Sequence, residues 1–197
     1  MLNRKLVCIF FVVVAGSLFE KTWAQSNSAT PIKPPPAPLT AEKNPSGDIP
    51  DNQAFVKYKS PLGFSIKVPE GWARQEQAND VSFSDKYNRL QVTVKAQPSS
   101  PSLASIKANE VNALQKSPSA VRIASVKQLA LPAGSTIVVH YSANSDVNKV
   151  TNKAIRLDNE NYYLWKAGKL AVLTLSAPAG ADNVDQWQLM AKSFTWQ

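Results

Sequence analysis

The sequence predicts an α+β domain, an α/β/α sandwich in which helices pack on a largely antiparallel β-sheet. Short segments of alternating apolar and polar residues, separated by turn residues, predict many strands joined by hairpins. Two segments with apolar residues at helical spacing interrupt these strands. Strands joined by hairpins, with helices inserted between them, favour an antiparallel sheet that carries helices on its faces.

The first half of the domain, from residue 51, is predicted as strands followed by a helix. The predicted strands cover 55–58, 64–68, 81–83 and 90–96, with a hairpin turn at 85–88. Ser100 is the predicted N-cap of the helix, and Pro101 occupies its first position. The apolar face of this helix consists of Leu103, Ile106, Val111 and Leu114.

The second half is predicted as further strands and a closing helix. The predicted strands cover 121–131, 136–142, 152–158, 162–165 and 171–177. The last two form a hairpin around Gly168 and Lys169, and they are apolar on both faces, which predicts central strands covered on both sides. The closing helix is predicted to start at Asp182 as N-cap, with Val184, Trp187 and Ala191 buried, and 193–196 to form a short packed segment.

Residues 1–24 have the pattern of a cleavable signal peptide. Two basic residues stand before an apolar run, Leu6 to Phe19, and a small-x-small sequence ends at Ala24. The apolar run is shorter than the roughly 20 residues that a membrane-spanning helix needs. We therefore expect export to the periplasm or out of the cell, with no transmembrane span after cleavage.

Residues 25–50 are predicted to form a Pro-rich disordered linker. The segment is dominated by Ser, Asn, Ala, Thr and Pro, and its few apolar side chains, Ile32, Leu39 and Ile49, are too few to offset the entropy of ordering it. Consecutive prolines favour an extended spacer. The single cysteine, Cys8, falls within the signal, so the remaining 25–197 has no disulfide and no thiolate nucleophile.

The chain is basic, with 22 Lys and Arg against 14 Asp and Glu. Removing residues 1–24 leaves it basic. Positive charge favours anionic partners such as acidic lipid head groups, anionic polysaccharide or nucleic acid. Because the basic residues are dispersed along the sequence, they are also typical of an ordinary solvated surface. Export disfavours a nucleic-acid partner.

Three motifs resemble the PsbP-like family. The segment 63–72 reads Gly-Phe-Ser-Ile-Lys-Val-Pro-Glu-Gly-Trp, 168–174 reads Gly-Lys-Leu-Ala-Val-Leu-Thr, and the closing helix ends in Ser193-Phe194. The resemblance covers most of 54–196 and implies an exported bacterial PsbP-like protein with an α/β/α sandwich. Relatives in that family include extrinsic photosystem II subunits, and its fold is similar to that of a Ran-binding nuclear import factor. The resemblance implies non-catalytic binding of other proteins.

Few residues in this sequence support catalysis or cofactor binding. His140 is the only histidine, so the metal-binding histidines of plant PsbP proteins have no counterpart, and we expect no metal and no cofactor. His140 could formally join a Ser-His-Asp triad with Asp146 or Asp158, but the chain has no Gly-x-Ser-x-Gly elbow. We therefore expect no enzyme, with a hydrolase using an unrecognised site around His140 as the alternative.

The candidate partner-binding residues are grouped around one pair of predicted strands. Aromatic residues alternate near two basic side chains, and one face of the strand either fills the core or lines a groove. The candidates are His140, Lys153, Arg156, Tyr163 and Trp165. The predicted function is that of an exported accessory module that binds a protein or an envelope component, and the alternative is a basic domain that docks on anionic membrane or polysaccharide.

Overall fold

The computed structural model describes residues 36–39 and 47–197, which belong to a single compact unit, Pro34–Gln197. The predicted signal peptide, 1–24, lies outside the described residues, as does most of the predicted linker, 25–50. Export and the boundaries of these two segments therefore stay predictions.

A seven-stranded antiparallel sheet forms the centre of the described region. Its strands are β3 (Ala73–Glu76), β4 (Asp80–Asp85), β5 (Asn88–Ala96), β6 (Arg122–Leu131), β7 (Gly134–Asn144), β8 (Arg156–Lys166) and β9 (Lys169–Pro178). Their order across the sheet is β3-β4-β5-β9-β8-β7-β6. The predicted apolar segments 162–165 and 171–177 therefore lie on neighbouring strands, β8 and β9, near the middle of the sheet.

One face of this sheet, the inner face, packs against a second layer. That layer contains helix α3 (Val184–Ser193) and a three-stranded sheet of β1 (Phe55–Ser60), β2 (Phe64–Pro69) and β10 (Thr195–Trp196), with β2 in the middle. Phe64 and Phe194 are fully buried here and stack with ring centroids 5.2 Å apart. The short packed segment predicted at the end of the chain is thus confirmed as β10.

The opposite face, the outer face, is covered over part of its area by helical segments. These are α1 (Leu103–Ile106), a π-helical turn (Lys107–Val111) and α2 (Asn112–Gln115). Ile106 and Val111 pack on Ile137, Val139 and Tyr163 of the sheet. Helices on one face and a helix with a small sheet on the other confirm the predicted α+β sandwich.

The helical segment is predicted correctly in its buried face but not in its start. Ser102, not Ser100, is the N-cap, and it forms a capping box in which Ser105 N donates to Ser102 Oγ at 3.0 Å. The step from Ile106 to Val111 is five residues, longer than one α-helical turn. The π-helical turn spans this step and keeps both side chains on the sheet.

Strand β8 is one continuous strand, whereas the sequence predicted two strands at 152–158 and 162–165. The polar run Asn159, Glu160 and Asn161 breaks the apolar alternation and so looked like a connection. The pairing of β8 with β7 and β9 nevertheless runs through these residues without a break. Strand β3, which is exposed along its length, was not predicted.

The start of α3 corrects two further predictions. Its N-cap is Asn183, not Asp182, and the Asn183 side chain makes no capping bond to the helix. It instead accepts from Ile49 N at 2.7 Å and donates to Gly47 O at 2.9 Å. Val184, predicted as buried, is 60% exposed, whereas Trp187 and Ala191 are buried as predicted.

The segment 47–50, predicted as part of the linker, packs on the domain. Ile49 is only 3% exposed and belongs to the inner core, whereas the prediction placed it in the linker. The two hydrogen bonds to Asn183 explain why this segment is ordered without a regular pattern of apolar residues.

Candidate functional site

An open groove runs between α3 and the inner face of strands β6 to β8. It consists of two cavities, of about 280 and 550 Å³, that share His140, Glu160 and Val184 in their walls. We call this continuous depression the α3 groove. Its volume suits a small ligand or a few side chains of a partner.

The larger cavity has an apolar wall and a basic rim. Leu129, Leu131 and Val138 supply apolar surface from the sheet. Lys127 on β6 and Lys192 on α3 are both exposed and flank this wall. An apolar surface with a small number of polar groups is typical of ligand-binding pockets.

A hydrogen-bonded trio of polar side chains occupies the middle of the groove. His140 Nδ1 lies 2.9 Å from Glu160 Oε1, and the Tyr162 hydroxyl donates to Glu160 Oε2. The side chain of His140 is 34% exposed and that of Glu160 is 17% exposed. Because Nδ1 is engaged with the carboxylate, Nε2 is the imidazole nitrogen left for a ligand.

Strand register brings the trio together. His140 on β7 is directly opposite Glu160 on β8, and Tyr162 follows Glu160 by two residues on the same face. The sequence contains the signal, since Asp158, Glu160 and Tyr162 alternate. This alternation identifies a site only if 156–166 is one strand paired with β7, and the sequence predicted two strands there. Glu160 and Tyr162 were therefore not among the predicted site residues.

The trio shifts the ionisation of its tyrosine. Burial raises the pKa of Tyr162, and the hydrogen bond to Glu160 and the negative charge of that carboxylate raise this pKa further. Tyr162 therefore remains a protonated donor to Glu160 throughout the physiological pH range. The carboxylate is held by groups on both of its oxygens.

Of the five predicted site residues, only His140 lies in the α3 groove. Arg156 is 6% exposed, and its guanidinium donates to Ala120 O at 2.8 Å, Asn144 Oδ1 at 3.0 Å and Ser142 Oγ at 2.6 Å. Burial lowers the pKa of Arg156, as does the nearby charge of Arg122. Arg156 therefore ties the end of β8 to its neighbours.

The remaining three predicted residues lie elsewhere. Tyr163 is 3% exposed in the core beneath α1 and α2, and Trp165 is partly buried beside it, with Nε1 donating to Gln97 O at 2.8 Å. Both occupy the outer face, because odd and even residues of β8 point to opposite faces. Lys153 is exposed in the loop before β8. Of the two alternatives for this strand face, filling the core or lining a groove, the contacts of Tyr163 and Trp165 agree with the first.

The carboxylates proposed for a triad do not pair with His140. Asp146 is exposed in a loop, and Asp158 Oδ2 accepts from Gly180 N at 3.1 Å. Glu160 is the carboxylate at the imidazole instead. Ser142 lines the smaller cavity, but its hydroxyl accepts the hydrogen bond from Arg156.

The described residues contain neither a cluster of metal ligands nor a helix suited to crossing a membrane. Within residues 36–39 and 47–197, no group of three or more His, Cys, Asp or Glu side chains is placed to hold a metal ion. In the same residues, no helix combines the length and the apolar character that crossing a membrane requires.

Comparison with known families and proteins gives one family match. Residues 56–173 match the family described as the serine/threonine kinase C-terminal domain. No curated protein matches the chain. The family that matches differs from the PsbP-like family indicated by the sequence motifs.

One solved structure supports the fold, and a second is reported beside it. Cyanobacterial PsbP (CyanoP) from Synechocystis sp. PCC 6803 is 15% identical with a TM-score of 0.52, and the match covers 77% of this chain and 99% of that one. The Ran-binding protein Mog1p of Saccharomyces cerevisiae is 10% identical with a TM-score of 0.45, covering 73% and 95%. The resemblance to PsbP is therefore confirmed at the level of fold.

Proposed function

We propose that this chain, which belongs to the serine/threonine kinase C-terminal domain family, is a non-catalytic binding module. The proposed binding site is the α3 groove. We propose further that the module is exported and engages a protein or a component of the cell envelope. The signal pattern of residues 1–24 supports export.

The observation that carries this proposal is the polar trio set in an apolar groove. His140 and Glu160 converge at the junction of two cavities, next to the apolar surface of Leu129, Leu131 and Val138. Apolar walls provide affinity by excluding water, and a few fixed polar groups provide orientation. The exposed Val184 extends the apolar surface to the rim of the groove.

The trio is better suited to recognition than to bond cleavage. Glu160 is shared between His140 and Tyr162, which fixes the imidazole in one orientation. A nucleophile in a triad must lie within hydrogen-bond reach of the base. The hydroxyl that lines the same cavity, Ser142, is instead bound at 2.6 Å to the cation of Arg156. We infer that His140 presents a polar edge to a bound partner.

A pair of bulky substitutions tests the site. Val184→Trp fills the mouth of the groove from a position that is 60% exposed, and Val56→Trp places the same side chain on β1, at a position 44% exposed and outside the groove. Both variants should unfold at nearly the same temperature as the unmodified chain, since neither position is buried. Crosslinking and pull-down from envelope extracts should recover a partner with Val56→Trp but not with Val184→Trp.

The same experiment can contradict the proposal. Equal recovery with both tryptophan variants would place the partner outside the groove. Recovery of no partner with the unmodified chain, under conditions in which it is folded, would count against a binding module. Circular dichroism of each variant is the control for folding.

A hydrolase is the second candidate, favoured by the 2.9 Å contact between His140 Nδ1 and Glu160 in a groove that Ser142 also lines. If the chain is such an enzyme, His140→Ala should abolish hydrolysis of an ester and amide panel by at least about a hundredfold. Any activity that His140→Ala leaves unchanged rules out the His-dependent enzyme. Ser142→Ala would then separate a nucleophilic role from its bond to Arg156.

Docking on an anionic surface is the third candidate, favoured by Lys127 and Lys192 on the rim of the groove and by the basic composition. Such docking should weaken steeply as salt is added, because exposed charges are screened. Vesicles containing anionic lipid provide the measurement. Binding that is insensitive to salt, or equal on neutral vesicles, would exclude this candidate.

A further inference from the structure

The outer face of the seven-stranded sheet has an open half that α1 and α2 do not cover. A cleft of about 570 Å³ lies there, across strands β4, β5, β9 and β8. We call it the polar cleft and define it by the side chains that form its floor: Ser82, Ser84, Gln91, Thr174, Ser176 and Asn159. It is separate from the α3 groove, because the two lie on opposite faces of the sheet.

Strand register assembles the floor of the cleft into rows. Gln91 pairs with Ser82 on one side and with Thr174 on the other. The next row contains Ser176 opposite Asn159. These residues come from central strands, so the cleft lies on a rigid part of the sheet.

The polarity of this floor is unusual for central strands. On the covered half of the same face, Ile137, Val139 and Tyr163 form an apolar surface that buries against helices. A row of polar side chains on central strands contributes little to a core, and its burial is unfavourable unless each polar group is hydrogen-bonded. Packing of the described residues therefore does not account for the choice of side chains in the cleft.

Several of these polar groups are held in position. Ser176 Oγ donates to Asn159 Oδ1 at 2.6 Å, and Gln91 Nε2 donates to Asp80 Oδ2 at 2.9 Å. Asn159 is 7% exposed and Ser176 is 9% exposed, so their orientation is fixed by the surrounding strands. Fixed donors and acceptors lose little entropy when a ligand binds.

The chemistry of the lining indicates a neutral ligand that is rich in hydroxyl groups. Amide and hydroxyl side chains both donate and accept, as sugar hydroxyls do. The charged lining residues are few and of mixed sign: Lys86, Arg89 and Asp146. The lining therefore does not match a polyanion. Leu157 is the single leucine, isoleucine or valine among the lining residues, so the cleft does not match an apolar peptide either. Tyr87, 39% exposed, offers an aromatic ring at the edge of the cleft.

We propose that the polar cleft is a binding site for a neutral saccharide. Gln91, Thr174 and Asn159 would hydrogen-bond the sugar hydroxyls, and Tyr87 would contact a ring face. This site is independent of the function proposed for the α3 groove, because the side chains that would bind the sugar lie on the other face of the sheet.

An NMR titration of the full chain tests the proposal. Cellohexaose and chitohexaose are the neutral probes, and trigalacturonate is the anionic control. At millimolar concentration, both neutral sugars, or one of them, should shift the backbone amides around Gln91, Thr174 and Asn159. The same sugar should leave the amides of α3 unshifted.

A matched pair of variants tests the role of the floor. Thr174→Val replaces a hydroxyl in the cleft by a methyl group of the same size and should raise the dissociation constant about fivefold, the effect of one lost hydrogen bond. Thr93→Val makes the same change on the same face of β5, outside the cleft lining, and should leave the constant unchanged. Val184→Trp, which fills the α3 groove, should also leave sugar binding unchanged.

Three results would overturn the proposal. The first is the absence of shifts with both neutral sugars, and the second is stronger binding of trigalacturonate than of either. The third is equal loss of affinity in Thr174→Val and Thr93→Val. If Val184→Trp abolishes partner recovery while sugar binding fails in the unmodified chain, the α3 groove proposal stands and this one falls.

Discussion

The two faces of the seven-stranded sheet are built differently. The inner face packs against a complete second layer, and Phe64, Leu173 and Phe194 are fully buried there. Part of the outer face packs under three short helical segments, and another part forms the polar cleft. The comparison indicates that packing of the inner layer contributes most of the stability. The open part of the outer face contributes less to the core and can therefore contain polar side chains.

Removing a side chain from the inner layer should have the largest effect. Phe194 is fully buried, stacks on Phe64 and lies 5.4 Å, between ring centroids, from Trp196. Phe194→Ala should lower the free energy of unfolding by about 4 kcal/mol, because it leaves a large cavity. Urea denaturation measures the change, with the exposed Leu189→Ala on α3 as control. A loss below that of Ile106→Ala on the outer face would reverse the comparison.

Alkaline pH should weaken the packing of Tyr163 under the helices of the outer face. Burial raises the pKa of Tyr163 from 10.0 to about 12. The folded state therefore retains a proton that the unfolded state releases, so this contribution is complete below pH 10 and falls away as pH rises to about 12. The loss is about 3 kcal/mol, from two pKa units.

The variant Tyr163→Phe keeps the ring and removes the ionisable group. Its free energy of unfolding should fall less steeply above pH 10 than that of the unmodified chain. Some slope should remain, because burial also raises the pKa of Tyr141 and of Tyr162. Denaturation curves across this pH range measure it, and equal slopes for the two proteins would contradict the burial assigned to Tyr163.

The smallest difference concerns two basic residues that sequence reasoning placed in one site. Arg156→Met should lower the free energy of unfolding by about 2 kcal/mol, because it removes the side-chain donor to Ala120 O and one of the two donors to Asn144 Oδ1. Lys153→Met, in an exposed loop, should change it by less than about 0.5 kcal/mol. Thermal or urea unfolding checks both, and equal effects would mean that Arg156 is not a structural residue.

The errors in the predicted site have one physical source. In β8 the run Asn159, Glu160 and Asn161 interrupts the apolar pattern, so the local sequence predicts a connection there. Asn159 lies in the polar cleft and Glu160 in the α3 groove, so two of the three residues that interrupt the pattern belong to the candidate sites. Local pattern fails where side chains are selected for something other than packing.

The predicted N-cap of α3 failed for a related reason. Asn183 has the chemistry of a capping residue, yet its side chain binds Gly47 and Ile49, more than 130 residues earlier. Capping rules consider only residues that are close in sequence. They therefore cannot predict that the Asn183 side chain bonds to the backbone of a distant segment, which needs a donor and an acceptor. The helix itself was predicted because its buried residues, Trp187 and Ala191, follow the helical period.

The sequence by itself determined the elements whose signal is local: the alternation in β5, β7 and β9, the apolar face of the helical segment at 103–115, and the hairpin at Gly168. Only the tertiary structure decided which residues of different strands lie next to each other on one face of the sheet. His140 meets Glu160 through the register of β7 and β8, and Tyr163 and Trp165 are directed away from both. Side chains alternate between faces with a period of two, so a site on a sheet depends on strand pairing, which no single segment encodes.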